Sequence, residues 1–362
     1  MTTDGAKPNS ETRAFKGDKS SPTPSPSASV LVISAKNDIL LLRRVQSSTS
    51  FASAHVFPGG HISPQDGTLP PLNDVRRHED SEAYRISAIR ECFEETGILI
   101  ANKKGSDGLL ELNDKEREES RHAVHNEKIP FKVWLNEKDA IANTASLIPF
   151  TRWLTPINVP RQRFSTQMYI YFLPLSCSSK PRAQNTIPTS DGGVENTEAG
   201  FKPVAEWLRL FRANELILFP PQFYLLSLLA PFLHESSEIQ TLQAQRDALL
   251  SFVERKEDGE PSWGEKSISP QPLFKLAQKM VFGLDQPGPE LAATGRKGDG
   301  KRVITWIFKD GRPQELQVRW RADVEREKIE ALEGGMPVHI ITREEAEKER
   351  HESQYSGGRQ KL

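Results

Sequence analysis

The stretch "RECFEETG" (Arg90–Gly97) places three glutamates within five residues. If this segment is helical, Glu91, Glu94 and Glu95 stand at positions i, i+3 and i+4, so their carboxylates lie on neighbouring turns of one face. Like charges at this spacing destabilise an isolated helix by roughly 0.2–0.5 kcal/mol per pair. Because a cysteine and a phenylalanine between them are typical of a buried element, the cluster indicates a place where a bound cation offsets the repulsion.

A divalent metal is the cation that fits this cluster best. Mg²⁺ prefers oxygen ligands in octahedral geometry and keeps several waters. A metal held by these carboxylates would neutralise a diphosphate and lower the pKa of a bound water that can attack phosphorus. The pattern therefore predicts a Mg²⁺ site, with Mn²⁺ as an alternative, and phosphate-transfer chemistry. The competing interpretation is a solvated pair of glutamates on a helix surface.

Local signals define the helix that carries the cluster. The pattern predicts a helix over residues 81–96, with Asp80 or Ser81 as N-cap and Gly97 as the residue that ends it. Upstream, "SVLVIS" and "ILLLRRV" are typical of two strands of a hairpin, and "AHVFPGGH" of a strand that ends in a turn. Downstream, "LIPFTRWLTP" and "FSTQMYIYFLPL" predict two buried strands, of which the second should lie centrally in a sheet.

The glutamates have further partners at fixed distances along the chain. Seven residues separate Glu82 from Arg90, Gly97 follows the cluster, and an apolar Ile98 comes next. The pattern E-x7-R-E-x-x-E-E-x-G-apolar closely resembles the Nudix box, the signature of a family that hydrolyses nucleoside diphosphates linked to another moiety. The resemblance implies an α/β/α sandwich with a mixed sheet between helices. Cys92 fills a slot that usually holds an aliphatic residue, which is a mild substitution.

The resemblance is incomplete at the start of the box. The family pattern has a glycine six positions before its first glutamate, but Arg76 occupies that position here. The required glycine is therefore expected to be Gly59 or Gly60 of "FPGG". We interpret the intervening residues, about 62–80, as an insertion in the loop that precedes the helix.

By resemblance, the box assigns the metal ligands. It implies that Glu91 and Glu95 are the principal ligands and that Glu94 is a further ligand or the general base. Gly60 would contribute a backbone carbonyl to the metal. Glu82 would hold a metal-bound water or the loop. 

Arg90 has a different implied role from the acids that surround it. Its guanidinium would orient a glutamate for catalysis, which suits its rigid set of donors. 

Segments outside the box resemble one branch of the family, which includes the peroxisomal coenzyme A diphosphatases of animals. The similar segments are "ILLLRRV…FASAHVFPGG", "TRWLTPINVPRQRFSTQMYIYFLP" and "ENTEAGFKPVAEWLRLFRANELILFPPQ". In that branch the corresponding strand, loop and helix flank the substrate cleft. The resemblance implies coenzyme A or an acyl-coenzyme A as substrate. Alternatives are ADP-ribose, NADH or a capped RNA end, or a non-catalytic module that binds a nucleotide or a protein partner.

Four charged residues outside the box are weaker candidates. Glu195 and Glu198 in "VENTEAGF" are candidates for an additional metal ligand or base, or are exposed acids of a loop. Arg161 and Arg163 in "VPRQRF" are candidates for contacts with substrate phosphates, for instance the 3′-phosphate of coenzyme A, or are surface residues.

Composition divides the chain into three parts. Residues 1–27 are rich in Ser, Pro and Thr and are predicted to be a disordered tail. Residues 28–233 form the predicted Nudix domain, with insertions at about 62–80 and at the charged segment 103–127, which we expect to be a solvated helix. Residues 234–362 form an extension whose packing the sequence does not define, with a hairpin predicted around Asp310 and a disordered end.

Charge and cysteine content restrict the partners. The formal net charge is −1, from 48 basic and 49 acidic residues, which argues against nucleic acid as the main partner. "FYLLSLLAPFL" is too short to span a membrane, and the polar N-terminus has no signal-peptide pattern. Two cysteines indicate a reducing compartment, and we expect a cytoplasmic enzyme. Peroxisomal import is the alternative, because the final "QKL" approximates the S-K-L signal.

Overall fold

A computed structural model describes most of the chain. The described residues are 22–46, 53–72, 74–156, 162–175, 188–189, 196–256, 259–309, 312–334 and 336–341. Residues 1–21 of the predicted tail, the candidates Arg161 and Glu195, and the C-terminal "QKL" lie outside these residues.

The described residues contain both strands and helices. The strands are β1 (Ser25–Ile33), β2 (Ile39–Arg44), β3 (His55–Val56), β4 (Gly59–His61), β5 (Ala101–Lys103), β6 (Ala140–Ala142), β7 (Ile148–Leu154), β8 (Phe164–Phe172), β9 (Asn196–Lys202), β10 (Ser267–Ile268), β11 (Gln271–Leu276), β12 (Lys279–Leu284), β13 (Asp299–Lys309), β14 (Arg312–Trp320) and β15 (Val338–Ile340). The helices are α1 (Glu82–Thr96), α2 (Asp114–His125), α3 (Phe131–Glu137), α4 (Val204–Arg212), α5 (Pro220–Leu229), α6 (Ile239–Glu254) and α7 (Arg321–Glu333).

The main sheet is mixed. Its strand order is β10-β7-β8-β1-β2-β3, while β4 pairs with β1 and β9 pairs with β2. β1 runs parallel to β8 and antiparallel to β2, so the predicted hairpin and the central position of β8 are confirmed. β1 begins at Ser25, inside the segment predicted to be a disordered tail, because its first residues pair with Phe164 and the residues that follow it.

Alternating side chains of β1 build two cores, one on each face of the sheet. Val30 and Val32 pack in a cluster with residues of α1, α2 and α3. Leu31 and Ile33 pack in a second cluster with residues of α4, α5 and α6. This is the side-chain alternation of a strand buried on both faces. The predicted α/β/α sandwich is therefore confirmed.

Helix α1 begins and ends close to the predicted residues. Ser81 is its N-cap residue, and Gly97 ends it in the left-handed conformation with φ of 73°. The Gly97 N–H donates to the Phe93 carbonyl at 2.8 Å. A left-handed φ at this position favours glycine, which explains the box residue at this point.

The insertion at 103–127 packs more closely than the sequence predicted. Its helix α2 buries Arg117 and Arg121, and Arg121 Nη2 donates to the Glu94 carbonyl at 3.0 Å. The prediction of a solvated helix was wrong on this face, because both arginines are buried and Arg121 bonds α1. The following helix α3 stacks Trp134 on Phe93 with ring centroids 5.0 Å apart.

The C-terminal extension joins the main sheet and forms a second one. β10 pairs in parallel with β7, and β11–β15 make a five-stranded sheet of order β14-β13-β12-β11-β15. The predicted hairpin is confirmed as the β13–β14 pair, with residues 310–311 outside the described part. Within the described residues, no helix is long and apolar enough to cross a membrane.

Candidate active site

The glycine turn lies directly against the glutamate cluster. Gly60 belongs to β4 and pairs with Ala28 of β1. A Cβ atom placed on Gly60 would lie 2.4 Å from the carboxyl carbon of Glu91, closer than any real contact. A Cβ atom on Gly59 would lie 2.3 Å from the backbone oxygen of Ala28, so close contacts favour glycine at both positions that the sequence left open.

Glu95 is held by neutral donors on the same side of α1. Its Oε2 accepts from the Gly59 N–H at 2.8 Å, and its Oε1 accepts from Asn196 Nδ2 at 3.2 Å. Arg44 Nη1 lies 4.0 Å from Oε1. Asn196 was not predicted from the sequence. The signal for Asn196 was its position in the segment "ENTEAGF", next to the predicted candidates Glu195 and Glu198.

Burial and mutual repulsion perturb both carboxyl groups. Burial, together with the charge of Glu94, raises the pKa of Glu91 to about 7, although Arg90 opposes this shift. Burial, with the charge of Glu91, raises the pKa of Glu95 to about 8. Two buried carboxylates close to each other are a suitable oxygen-donor pair for a hard dication, because its positive charge would stabilise their ionised forms. The residues present therefore fit the predicted metal.

Both oxygens of Glu94 are engaged by cationic or titratable side chains. Its Oε1 accepts from Arg90 Nη1 at 3.0 Å, and its Oε2 lies 3.5 Å from His125 Nδ1. Over the described part of the chain, no group of three or more His, Cys, Asp or Glu side chains converges to hold a metal. The predicted third ligand, Glu94, is thus not brought together with Glu91 and Glu95, because Arg90 and His125 engage its oxygens.

Arg90 is the centre of a buried ion-pair network. Its Nε and Nη2 donate to Asp66 Oδ1 and Oδ2 at 2.7 and 2.9 Å, and Nη2 also donates to the His61 carbonyl at 3.0 Å. Its Nη1 lies 2.8 Å from Glu91 Oε1. This bidentate pairing fixes the guanidinium and lets it orient two glutamates. The contact that was predicted between Arg90 and a box glutamate is present.

The role assigned to Glu82 needs correction. Its side chain is 75% exposed and pairs with Lys132 at 3.4 Å. It lies nine positions before Glu91 on the helix, which amounts to about 13.5 Å along the axis. The loop is held instead by Asp66, whose side chain is fully buried.

The sequence carried a signal for Asp66. It lies six positions after Gly60, the same spacing that the box has between its glycine and its first acid. We propose that Asp66 takes the place of the first box acid and that the insertion begins after it. Its position was not predicted because Glu82 stands at the expected distance from Arg90 along the chain.

Two of the weaker candidates lie away from the glutamates. Arg163 is 1% exposed and pairs with Glu290, and it also donates to the Thr155 and Pro22 carbonyls. It joins β8 to the extension, so the prediction that it contacts phosphate was wrong in this conformation. Glu198 is exposed on β9 opposite Arg43, because a register shift turns it away from the face of Asn196.

A cleft of about 570 Å³ opens onto Glu91 and the glycine turn. Its polar side carries Arg44, His61 and Gln162. The remaining lining is mostly apolar and comes from both the main sheet and the C-terminal extension: Phe57, Trp153, Met168, Phe219, Phe282, Ile304 and Trp306. A cleft of this size with the carboxylate of Glu91 in its lining can enclose a nucleotide-sized ligand.

Comparison with known proteins agrees with the motif. Residues 71–229 match the family described as the NUDT19 Nudix domain. Relatives described as acyl-coenzyme A diphosphatase NUDT19 are 29% identical in Xenopus laevis and 25% identical in Homo sapiens, each over 54% of this chain. The alignments span 60% of the length of each of these two relatives.

Solved structures of the same family were also found. A NUDIX hydrolase from Alicyclobacillus acidocaldarius has a TM-score of 0.43 and 21% identity, and the match covers 56% of this chain and 90% of that one. The match over residues 71–229 includes the box on α1, so this part of the chain is similar to the Nudix domain of the relatives described as acyl-coenzyme A diphosphatases.

Proposed function

We propose that this protein hydrolyses the diphosphate bond of coenzyme A or an acyl-coenzyme A, in a reaction that depends on Mg²⁺ or Mn²⁺. Water attack on the diphosphate would release adenosine 3′,5′-bisphosphate and a phosphopantetheine. The observation that carries the proposal is the cleft itself, which joins Glu91 and Gly60 at one end to a largely apolar lining at the other. The printed description of the relatives favours the same substrate class.

The metal would be held by Glu91 and Glu95, with the carbonyl of Gly60 as a further oxygen donor. When bound, the metal would neutralise the diphosphate and activate water for attack. Arg90 would keep the Glu91 carboxylate in place, because Asp66 fixes its guanidinium from the other side. Glu94 would act through this network, as a base or a relay with His125, and the side of the cleft near Arg44 would receive the phosphates.

Other substrates define the alternatives. ADP-ribose, NADH or a capped RNA end would use the same acids and change only the contacts in the cleft. A non-catalytic nucleotide-binding module is a different class. The retained acids weigh against it, because binding alone does not require buried carboxylates with raised pKa values.

One assay separates these alternatives. The full chain is incubated with Mg²⁺ and a panel of coenzyme A, decanoyl-coenzyme A, ADP-ribose, NADH and capped RNA, and the products are identified by mass. We expect cleavage of the coenzyme A compounds to adenosine 3′,5′-bisphosphate, with the highest kcat/KM in the panel. Preferential cleavage of another compound would reject the substrate assignment. The absence of any metal-dependent turnover would reject the enzyme.

A further inference from the structure

The C-terminal sheet presents two different faces. On β13, Val303 packs in a cluster with Phe274 of β11 and Val324 of α7. Ile304, the next residue, belongs to the main core instead, with Trp306 packed beside it. Because side chains alternate along a strand, Ile304 and Trp306 share the face that is turned toward the Nudix core.

One residue of the neighbouring strand β12 completes this face. Phe282 of β12 stands opposite Ile304 in the register, and its ring lies 6.2 Å from that of Trp306. Ile304 is buried, whereas the two aromatic rings are only partly buried. We define Phe282, Ile304 and Trp306 as the aromatic wall.

The aromatic wall lines the same cleft as the catalytic acids. Its three residues border the space that Glu91 and Gly60 border at the other side. The extension is fastened there by β10, which pairs with β7, and by the buried pair of Arg163 with Glu290. The wall is therefore a fixed part of the cleft and not a separate surface.

The chemistry of the lining distinguishes the two ends of the cleft. Among the described lining residues, Arg44 is the one arginine or lysine, and it lies beside Glu95 at the acid end. The aromatic wall has no charged group, and its one polar atom is the indole nitrogen of Trp306. A phosphorylated nucleoside needs cations and hydrogen-bond partners, whereas a hydrocarbon chain needs neither.

We propose that the aromatic wall binds the acyl chain of an acyl-coenzyme A, so that the C-terminal extension sets the preference for acylated over free coenzyme A. This inference rests on the proposed function. A methylene group that is fully buried gains about fourfold in affinity. A chain of several methylenes against two aromatic rings therefore produces a preference that is easily measured.

The test compares Trp306→Ala with the wild type on decanoyl-coenzyme A and free coenzyme A. We expect the wild type to favour decanoyl-coenzyme A, and Trp306→Ala to reduce the ratio of the two kcat/KM values by about tenfold. The kcat/KM for free coenzyme A should fall much less than that for decanoyl-coenzyme A, so the ratio reports on the acyl chain. Trp320→Ala is the matched control, because Trp320 lies in the same sheet, is 53% exposed and does not line the cleft.

Several outcomes would overturn the inference. An unchanged ratio in folded Trp306→Ala would show that the wall does not contact the acyl chain. An equal loss for both substrates would show that the wall binds the nucleotide part that they share. If Trp306→Ala does not fold, Phe282→Ala is measured by the same ratio and the same criteria. A wild type that cleaves neither compound rejects the proposed function itself, which is distinct from the other results.

Discussion

Helices α1 and α2 are neighbours with similar acidic patterns and opposite environments. On α1, the side chains of Glu91 and Glu95 are 15% and 5% exposed, and burial raises the pKa of both. On α2, the side chains of Glu118 and Glu119 are 41% and 69% exposed. Partial burial of Glu118 is outweighed by the charge of Arg121 and by hydrogen bonds, so its pKa is lowered.

The difference shows how each helix tolerates the repulsion between its own glutamates. α2 supplies its cations itself, because Lys115 and Arg121 pair with its glutamates. α1 supplies Arg90, which is engaged by Asp66, Glu91 and Glu94, while Glu95 relies on neutral donors and on Arg44 at 4.0 Å. When the glutamates of a buried helix face have few Lys or Arg partners, the helix indicates a binding site for a cation that is not part of the protein.

The largest expected effect comes from Glu95→Gln. The substitution keeps the shape of the side chain, which can still accept the hydrogen bond from the Gly59 N–H. It removes the charge that would hold a metal. We expect turnover of the preferred substrate to fall at least 10²–10³-fold, roughly the loss seen when transition-state charge stabilisation is removed. Steady-state kinetics would measure this, with circular dichroism to confirm folding.

Glu119→Gln is the control for this prediction. It makes the same chemical change on α2, at an exposed side chain that pairs with Lys115 at 3.8 Å. We expect kcat/KM within about twofold of the wild type, because exposed ion pairs contribute little. Equal kinetic losses in the two variants would contradict the distinction between the helices.

The second prediction compares Asp66→Asn with Glu82→Gln. Asp66 is fully buried and bonds Arg90 through both oxygens, so its loss leaves a buried guanidinium partly unpaired. We expect a decrease of about 3–5 kcal/mol in the free energy of unfolding, the usual cost of breaking a buried pair. Activity should fall by roughly 10–100-fold, as for other residues that position a metal ligand.

Glu82→Gln should change neither quantity, since Glu82 is exposed and pairs with a surface lysine. Urea denaturation and kinetics of both variants would decide which acid belongs to the functional box. A strong effect at Glu82 with a weak one at Asp66 would restore the assignment that was made from the spacing alone.

The third prediction concerns the pH dependence of stability after metal removal. The pKa values of Glu91 and Glu95 in the folded protein, about 7 and about 8, exceed the usual value of 4.5. The folded state then binds more protons than the unfolded state over this interval, so stability decreases as pH rises from about 5 to 8. Added Mg²⁺ should reduce the decrease, because it binds the charged carboxylates of the folded state.

Thermal melts of EDTA-treated protein at several pH values would measure this effect. Glu95→Gln should show a flatter pH profile and a smaller response to Mg²⁺ than the wild type. A metal-free protein whose stability rises across this interval would contradict the expected burial of these two acids.

Local patterns predicted the fold of the central domain well. The apolar runs of β1 and β8 predicted two strands of the sheet, and the glycine after Thr96 predicted the end of α1, because each signal depends on neighbouring residues. The packing of α2 was not predictable in this way. Its arginines were predicted to be solvent-exposed, because the acceptor of Arg121, the Glu94 carbonyl, lies on another helix.

The functional site was predictable where it lies on one helix. Glu91, Glu95 and Arg90 share α1, so their spacing alone placed them together. Asp66 and Asn196 come from other segments, and their contacts depend on how the loop and β9 return to α1. The aromatic wall depends on the register of a separate sheet, which no local pattern specified.

The most direct test of the account is Mn²⁺ binding to EDTA-treated protein, followed by electron paramagnetic resonance of the free ion. The account predicts that the wild type and Glu119→Gln bind Mn²⁺ with equal affinity. Glu91→Gln and Glu95→Gln should each bind it at least tenfold more weakly. Equal affinity in all four proteins would show that the buried carboxylates of α1 do not form the metal site.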